Sequence, residues 1–164
     1  ALVTFATDAQ INSPLTSSVS AVADTIATLT IDPEEETGST NTGDALLRGT
    51  EELNSARHNQ EARKIMVLLT DGLATAPEEN PDKYAQQAAQ RAKASGITLF
   101  TIGLGENVNM DFVTALASTP QQAYRALSVG EVDRIYKSIT GEICEDGAAI
   151  IEVIPKTDAG FSTL

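Results

Sequence analysis

Basic residues are scarce in this chain: 11 Lys and Arg stand against 23 Asp and Glu, a formal net charge of −12. Phosphate backbones are gripped by clustered Lys and Arg, so nucleic acid is excluded as a partner. A solvated acidic surface that favours solubility accounts for the charge, and a preference for cations has the same sign. There is one cysteine, Cys144, so no disulfide framework and no Cys/His zinc cluster can be written within the chain. It reads either as an inert buried thiol or as an odd cysteine paired elsewhere. There is one histidine, His58, in a polar segment after a helix, far from the strand ends where Ser-His-Asp chemistry would need it. Aromatic residues make up 4% with no Trp, so the core must be aliphatic and alanine-rich. No stretch approaches the roughly 20 apolar residues of a membrane helix. No signal peptide opens the chain, which does not argue against secretion.

The 164 residues, 41% of them hydrophobic, suffice for one core. Apolar runs alternate with helical periodicities, the pattern of a parallel sheet covered on both faces. Leu2–Ala6 reads as a short strand, and Ala9–Asn12 as an edge strand stopped by Pro14. Val19, Val22, Ile26 and Leu29 recur at helical spacing, and Ala45, Leu46, Gly49, Leu53 and Ala56 mark one face of the next helix. Between them, Ile31–Glu36 is an acidic loop, read as solvated or as an acidic rim. Lys64–Thr70 is a strand, and residues 72–81, with Pro77 and Pro81, form an exposed loop. An alanine-striped helix follows (Tyr84, Ala85, Ala88, Ala89, Ala92), then a strand over Ile97–Ile102 and a helix around Asp111–Ala117. Gln122–Leu127 reads as a strand, and Val132, Ile135, Tyr136, Ile139 and Ile143 make a final amphipathic helix. Beyond Cys144, the β-branched run Ala149–Ile154 and a polar tail read as a linker or the start of a β module, or as an added edge strand.

Two stretches carry chemistry. Ile65–Gly72 is an apolar run ending in Thr70-Asp71-Gly72, a strand buried on both faces with a carboxylate at its carboxyl end. Ligands of open parallel sheets bind outside those ends. Gly38-Ser39-Thr40-Asn41-Thr42-Gly43 opens a helix with hydroxyl and amide oxygens on the same edge. Such oxygens suit Mg²⁺, which takes one or two carboxylates and keeps water. Each residue also has a plainer role: Thr40 or Thr42 as helix caps, Asn41 with Asp44 as a loose capping box, and Asp71-Gly72 as a turn. Gly103-Leu104-Gly105 lacks the third glycine of a dinucleotide loop and reads as a tight turn. A Walker pattern is absent.

In order and spacing these pieces resemble the von Willebrand factor type A domains, which include the integrin inserted domains. Leu2–Phe5 is similar to that family's second strand, residues 38–46 to its threonine loop, Lys64–Gly72 to its fourth strand, and Gly96–Gly105 to its fifth. The resemblance implies a doubly wound α/β fold, mostly parallel, with helices on both faces. It implies a Mg²⁺ or Mn²⁺ site at the sheet's carboxyl edge, with Thr40 and Asp71 as metal residues. Asp71 would act through water, and Ser39, Thr42, Thr70 and Gly72 would shape the loops. The family's partner is a protein whose acidic side chain completes the coordination, in a setting at the cell surface or outside the cell, although intracellular members exist.

The family's Asp-x-Ser-x-Ser loop is missing: Ser17-Ser18-Val19-Ser20 has no Asp before it and sits where a helix begins. The chain opens at the equivalent of strand two, so the expectation is a domain over residues 1–144 truncated at its N-terminus, with 145–164 as linker or following module. The resemblance also implies that a partner for Cys144 would lie in the missing start. In the family the first strand is central. Its loss should leave two unpaired edges, and so a marginal or aggregation-prone chain or one completed by another segment. Metal affinity should be weak or absent. The competing readings are a flavodoxin-like or phosphatase-like enzyme using Asp71, which lacks a second acid and a phosphate loop, and a metal-independent structural domain.

Overall fold

The computed structural model describes residues 1–30, 39–77, 79–144 and 148–155, with side-chain surroundings through Ile143. The acidic loop Ile31–Glu36, Gly38, the side chain of Cys144 and the tail after Pro155 lie outside the described residues. In chain order the elements are β1 (Leu2–Phe5), β2 (Ala9–Ser13), α1 (Val19–Ala27), α2 (Thr42–Leu53), β3 (Arg63–Thr70) and α3 (Pro81–Ala94). Then come β4 (Ile97–Leu104), α4 (Met110–Leu116), β5 (Ala123–Ala126), α5 (Val129–Cys144) and β6 (Ala148–Pro155).

The six strands form one sheet in the order β2-β1-β6-β3-β4-β5. All neighbours are parallel except the β1–β2 hairpin, which is antiparallel and sets β2 at the edge. The position that the family resemblance assigns to a central first strand is held by β6. It pairs with β1 from Leu2↔Glu152 to Phe5↔Pro155 and with β3 from Arg63↔Ala148 to Leu68↔Val153. The slot is thus filled from within the chain, and the β-branched run Ala149–Ile154 has a neighbour on each side.

Side chains of β3 alternate between two cores, as a strand's period of two requires. Met66 and Leu68 pack with Val3, Phe5, Leu99 and the inner faces of α2, α3 and α4. Ile65 and Val67 pack on the other face with Phe100, Ile102 and Ile139 and Ile143 of α5. Burial on both faces explains the unbroken apolar run.

The alanine stripe of α3 (Ala85, Ala88, Ala89, Ala92) is fully buried and brings this helix close to α2. At Gly43 the Tyr84 ring occupies the place where an added Cβ would stand. α2 ends at Leu53, so Ala56, expected on its buried face, falls in the following turn and is exposed. Burial in α1 falls short of its amphipathic pattern: none of its residues is buried, and Val19 is 82% exposed.

Near the other end of α2, Glu52 is 1% exposed and fully engaged. Its carboxylate accepts from Leu15 N at 2.7 Å, Arg57 Nε at 2.8 Å and Arg57 Nη2 at 2.6 Å. The Arg57 guanidinium holds its carboxyl below the usual glutamate range against the opposing effect of burial, with help from the Leu15 amide.

Candidate functional site

Because β1, β6, β3, β4 and β5 run parallel, their carboxyl ends share one edge, marked by Phe5, Pro155, Thr70, Leu104 and Ala126. The N-terminus of α2 joins this edge because its leading loop is bonded to the end of β1. Asn41 N donates to Ala6 O at 2.7 Å, Asn41 Nδ2 to Thr7 O at 3.1 Å, and Ser39 N to Thr7 Oγ1 at 3.3 Å. All six residues singled out in the sequence (Ser39, Thr40, Thr42, Thr70, Asp71, Gly72) lie on this edge or the loops it carries.

The helix cap is Asn41, whose Oδ1 accepts from Asp44 N at 3.0 Å. Neither threonine caps, which corrects that expectation for Thr40 and Thr42. The reciprocal half of a capping box is also absent, since the Asp44 carboxylate accepts from Ala9 N at 2.9 Å instead. Relieved of capping, Thr42 is the first helical residue; it is fully buried, and its Oγ1 has no hydrogen-bond partner among the described residues.

Thr40 is held only through its backbone. Its N donates to Thr75 Oγ1 at 2.6 Å, and its carbonyl accepts from Thr75 N at 2.9 Å and Ala76 N at 3.3 Å. The loop after β3 is thereby clasped to the threonine loop, which leaves the Thr40 hydroxyl uncommitted among the described residues. Thr70 is buried and shapes its own turn: Oγ1 donates to Gly72 O at 3.2 Å and accepts from Gly72 N at 3.4 Å. Asp71 follows, half-buried, and its carboxylate makes no hydrogen bond or ion pair among the described residues. The loop after β3 is exposed at Leu73, Thr75 and Pro77, as expected, while Ala74 and Ala76 are buried.

The candidate donors are therefore both oxygen: the Thr40 hydroxyl and the Asp71 carboxylate. Such groups fit a hard divalent cation that keeps much of its water. Among the described residues no group of three or more His, Cys, Asp or Glu could hold a metal, so the set fits weak rather than tight binding.

His58 lies between α2 and β3, at the edge opposite Asp71, buried within a polar segment. Gly103 lies within β4, where a Cβ would meet Val108 at 2.9 Å, and the chain turns only at Gly105, which has φ +87°. Sequence reasoning missed Thr75. A threonine in a loop without periodicity carries no signal of a partner 35 residues away.

Comparison with known proteins agrees with this geometry. The family model for the von Willebrand factor type A domain matches residues 1–138. The chain is 39% identical over 82 residues to inter-alpha-trypsin inhibitor heavy chain H3 of Rattus norvegicus, 48% of this chain and 9% of that protein. It is 28% identical over 133 residues to the collagen alpha-5(VI) chain of Mus musculus, covering 79% of this chain and 5% of that one. The chain thus spans about a tenth or less of the length of these relatives. Among solved structures, proximal thread matrix protein 1 from the mussel byssus, in a form with a zinc-occupied MIDAS motif, superposes with TM-score 0.69 at 23% identity. That match covers 84% of this chain and 34% of the other. BatB from Bacteroides thetaiotaomicron gives TM-score 0.69 at 16% identity, covering 87% and 78%.

Proposed function

The chain belongs to the von Willebrand factor type A domain family, and from that membership we propose that it is a non-catalytic protein-binding module. Its binding edge is the carboxyl edge of the sheet, where Thr40 and Asp71 hold Mg²⁺ or Mn²⁺. Thr40 supplies a hydroxyl and Asp71 a carboxylate acting through water. Ser39, Thr42, Thr70 and Gly72 keep the two loops in place. The metal supplies a Lewis-acidic position that an acidic side chain of a partner protein completes. An extracellular or cell-surface setting fits the collagen and byssus relatives.

One observation carries the reading. Two loops far apart in sequence are bonded to each other through Thr40 and Thr75, and they present on the same edge a hydroxyl and a carboxylate without partners among the described residues.

Thermal unfolding with and without millimolar Mg²⁺ or Mn²⁺ tests it. A ligand that binds only the folded form at a hundredfold excess over its Kd stabilises by about 2.7 kcal/mol. A melting temperature that rises with metal in the parent chain, and not in Asp71→Ala, is the expected result. A transition blind to metal would favour a metal-independent binding domain.

A further inference from the structure

Asp71 and Gly72 meet in the bend after β3, where the restraints that shield an aspartate from its own main chain are weak or missing. The Asp71 carboxylate has no hydrogen bond or ion pair among the described residues. The Gly72 nitrogen, the amide next in the chain, donates only to Thr70 Oγ1 at 3.4 Å, longer than the roughly 2.7–3.2 Å of an N–H···O bond. Gly72 carries no side chain, and a Cβ there would meet nothing within 4 Å, so the approach to its nitrogen is open. Both residues are half-buried, so water reaches them.

The other described aspartates lack this combination. Asp24, Asp44, Asp82, Asp111 and Asp133 lie in helices, which hold ψ at the helical value. Asp8 is outside a helix, but the amide that follows it, Ala9 N, is engaged by the Asp44 carboxylate at 2.9 Å. Among the described residues, Asp71 is also the one Asp or Asn followed by Gly.

We propose that Asp71 is a modification site, at which the chain converts its own aspartate to isoaspartate. The Gly72 nitrogen forms a bond to Asp71 Cγ, the bond from Cγ to its hydroxyl oxygen breaks, and that oxygen leaves as water with the amide proton. The cyclic imide then takes up one water. Opening at Cγ restores Asp71, and opening at the main-chain carbonyl routes the backbone through Cβ and Cγ. No oxidant or reductant is consumed. Isoaspartate lengthens the main chain by one methylene and leaves the free carboxylate directly on Cα. The change falls between Thr70, which shapes the turn, and Thr75, which holds the Thr40 loop. Converted molecules therefore lose the geometry of this edge.

The test ages the chain for several weeks in warm neutral buffer with EDTA, so that the result does not depend on the metal reading. Isoaspartate is measured as methyl transfer from S-adenosylmethionine by an isoaspartyl methyltransferase, and is located by fragmentation of tryptic peptides. The expected result is methylation that grows with time, located at Asp71 and not Asp82 in the peptide of residues 65–83. Gly72→Ala, whose Cβ has open space, should melt like the parent and accumulate several-fold less. Absence of isoaspartate from that peptide overturns the proposal, as does isoaspartate confined to the peptide holding Asp146-Gly147. Equal accumulation in a folded Gly72→Ala variant overturns it as well.

Discussion

Thr40 and Thr75 hold each other across 35 residues: the amide of Thr40 donates to the hydroxyl of Thr75 at 2.6 Å, and the amide of Thr75 donates to the carbonyl of Thr40 at 2.9 Å. The pair spends backbone groups and the Thr75 hydroxyl, and it spares the Thr40 hydroxyl. Thr75→Val removes the acceptor and keeps the shape. The expected cost is about 0.5–1.5 kcal/mol of stability. The metal-dependent rise in melting temperature should shrink as the Thr40 loop loosens. A variant with the parent's metal response would assign the clasp to stability alone.

Gly43 of α2 faces Tyr84 of α3, whose ring stands where a Cβ would be. Gly43→Ala should destabilise by about 1–3 kcal/mol through overpacking. In a Tyr84→Ala background the same substitution should cost distinctly less, and a double-mutant cycle by urea unfolding measures the difference.

Glu52 links stability to pH. Its folded-state pKa is lowered, chiefly by Arg57. Its contribution is therefore present above the ordinary glutamate value of about 4.3 and is lost as pH falls through the lower folded value. Arg57→Ala should lower stability at neutral pH by leaving a buried carboxylate short of donors. The gap between parent and variant should narrow as pH falls through the acid range. Chemical unfolding from pH 7 to 3 reads both effects.

β6 pairs with β1 and β3 at the centre of the sheet. Ile151→Pro, opposite Met66, removes a ladder donor and is foreign to a central strand. Loss of the cooperative unfolding transition is expected. An unchanged transition would mean that the sheet does not depend on this strand.

Most of the elements were legible from local pattern. The run Ile65–Leu69 announced a strand covered on both faces, and the alanines of α3 announced a close-packed helix, because these signals depend only on the period of two or 3.6. Asp71 at the end of that run was legible for the same reason. The cap was not: Thr40, Asn41 and Thr42 can each accept a bond from a helix amide, and only the path of the loop against Ala6 and Thr7 selects Asn41.

By itself, then, the sequence determined where strands and helices form, that the sheet is mostly parallel, and that hydroxyls and one carboxylate gather at its carboxyl edge. The tertiary structure decided which strand stands between β1 and β3, which oxygens are consumed by the loops, and which stay open. The reason is that periodicity is a local property, while strand order and hydrogen-bond partnership are settled by competition among segments distant in the chain. The sequence reading left Ala149–Ile154 as a linker, the start of a β module or an added edge strand. Two open parallel edges, on β1 and on β3, gave it its place.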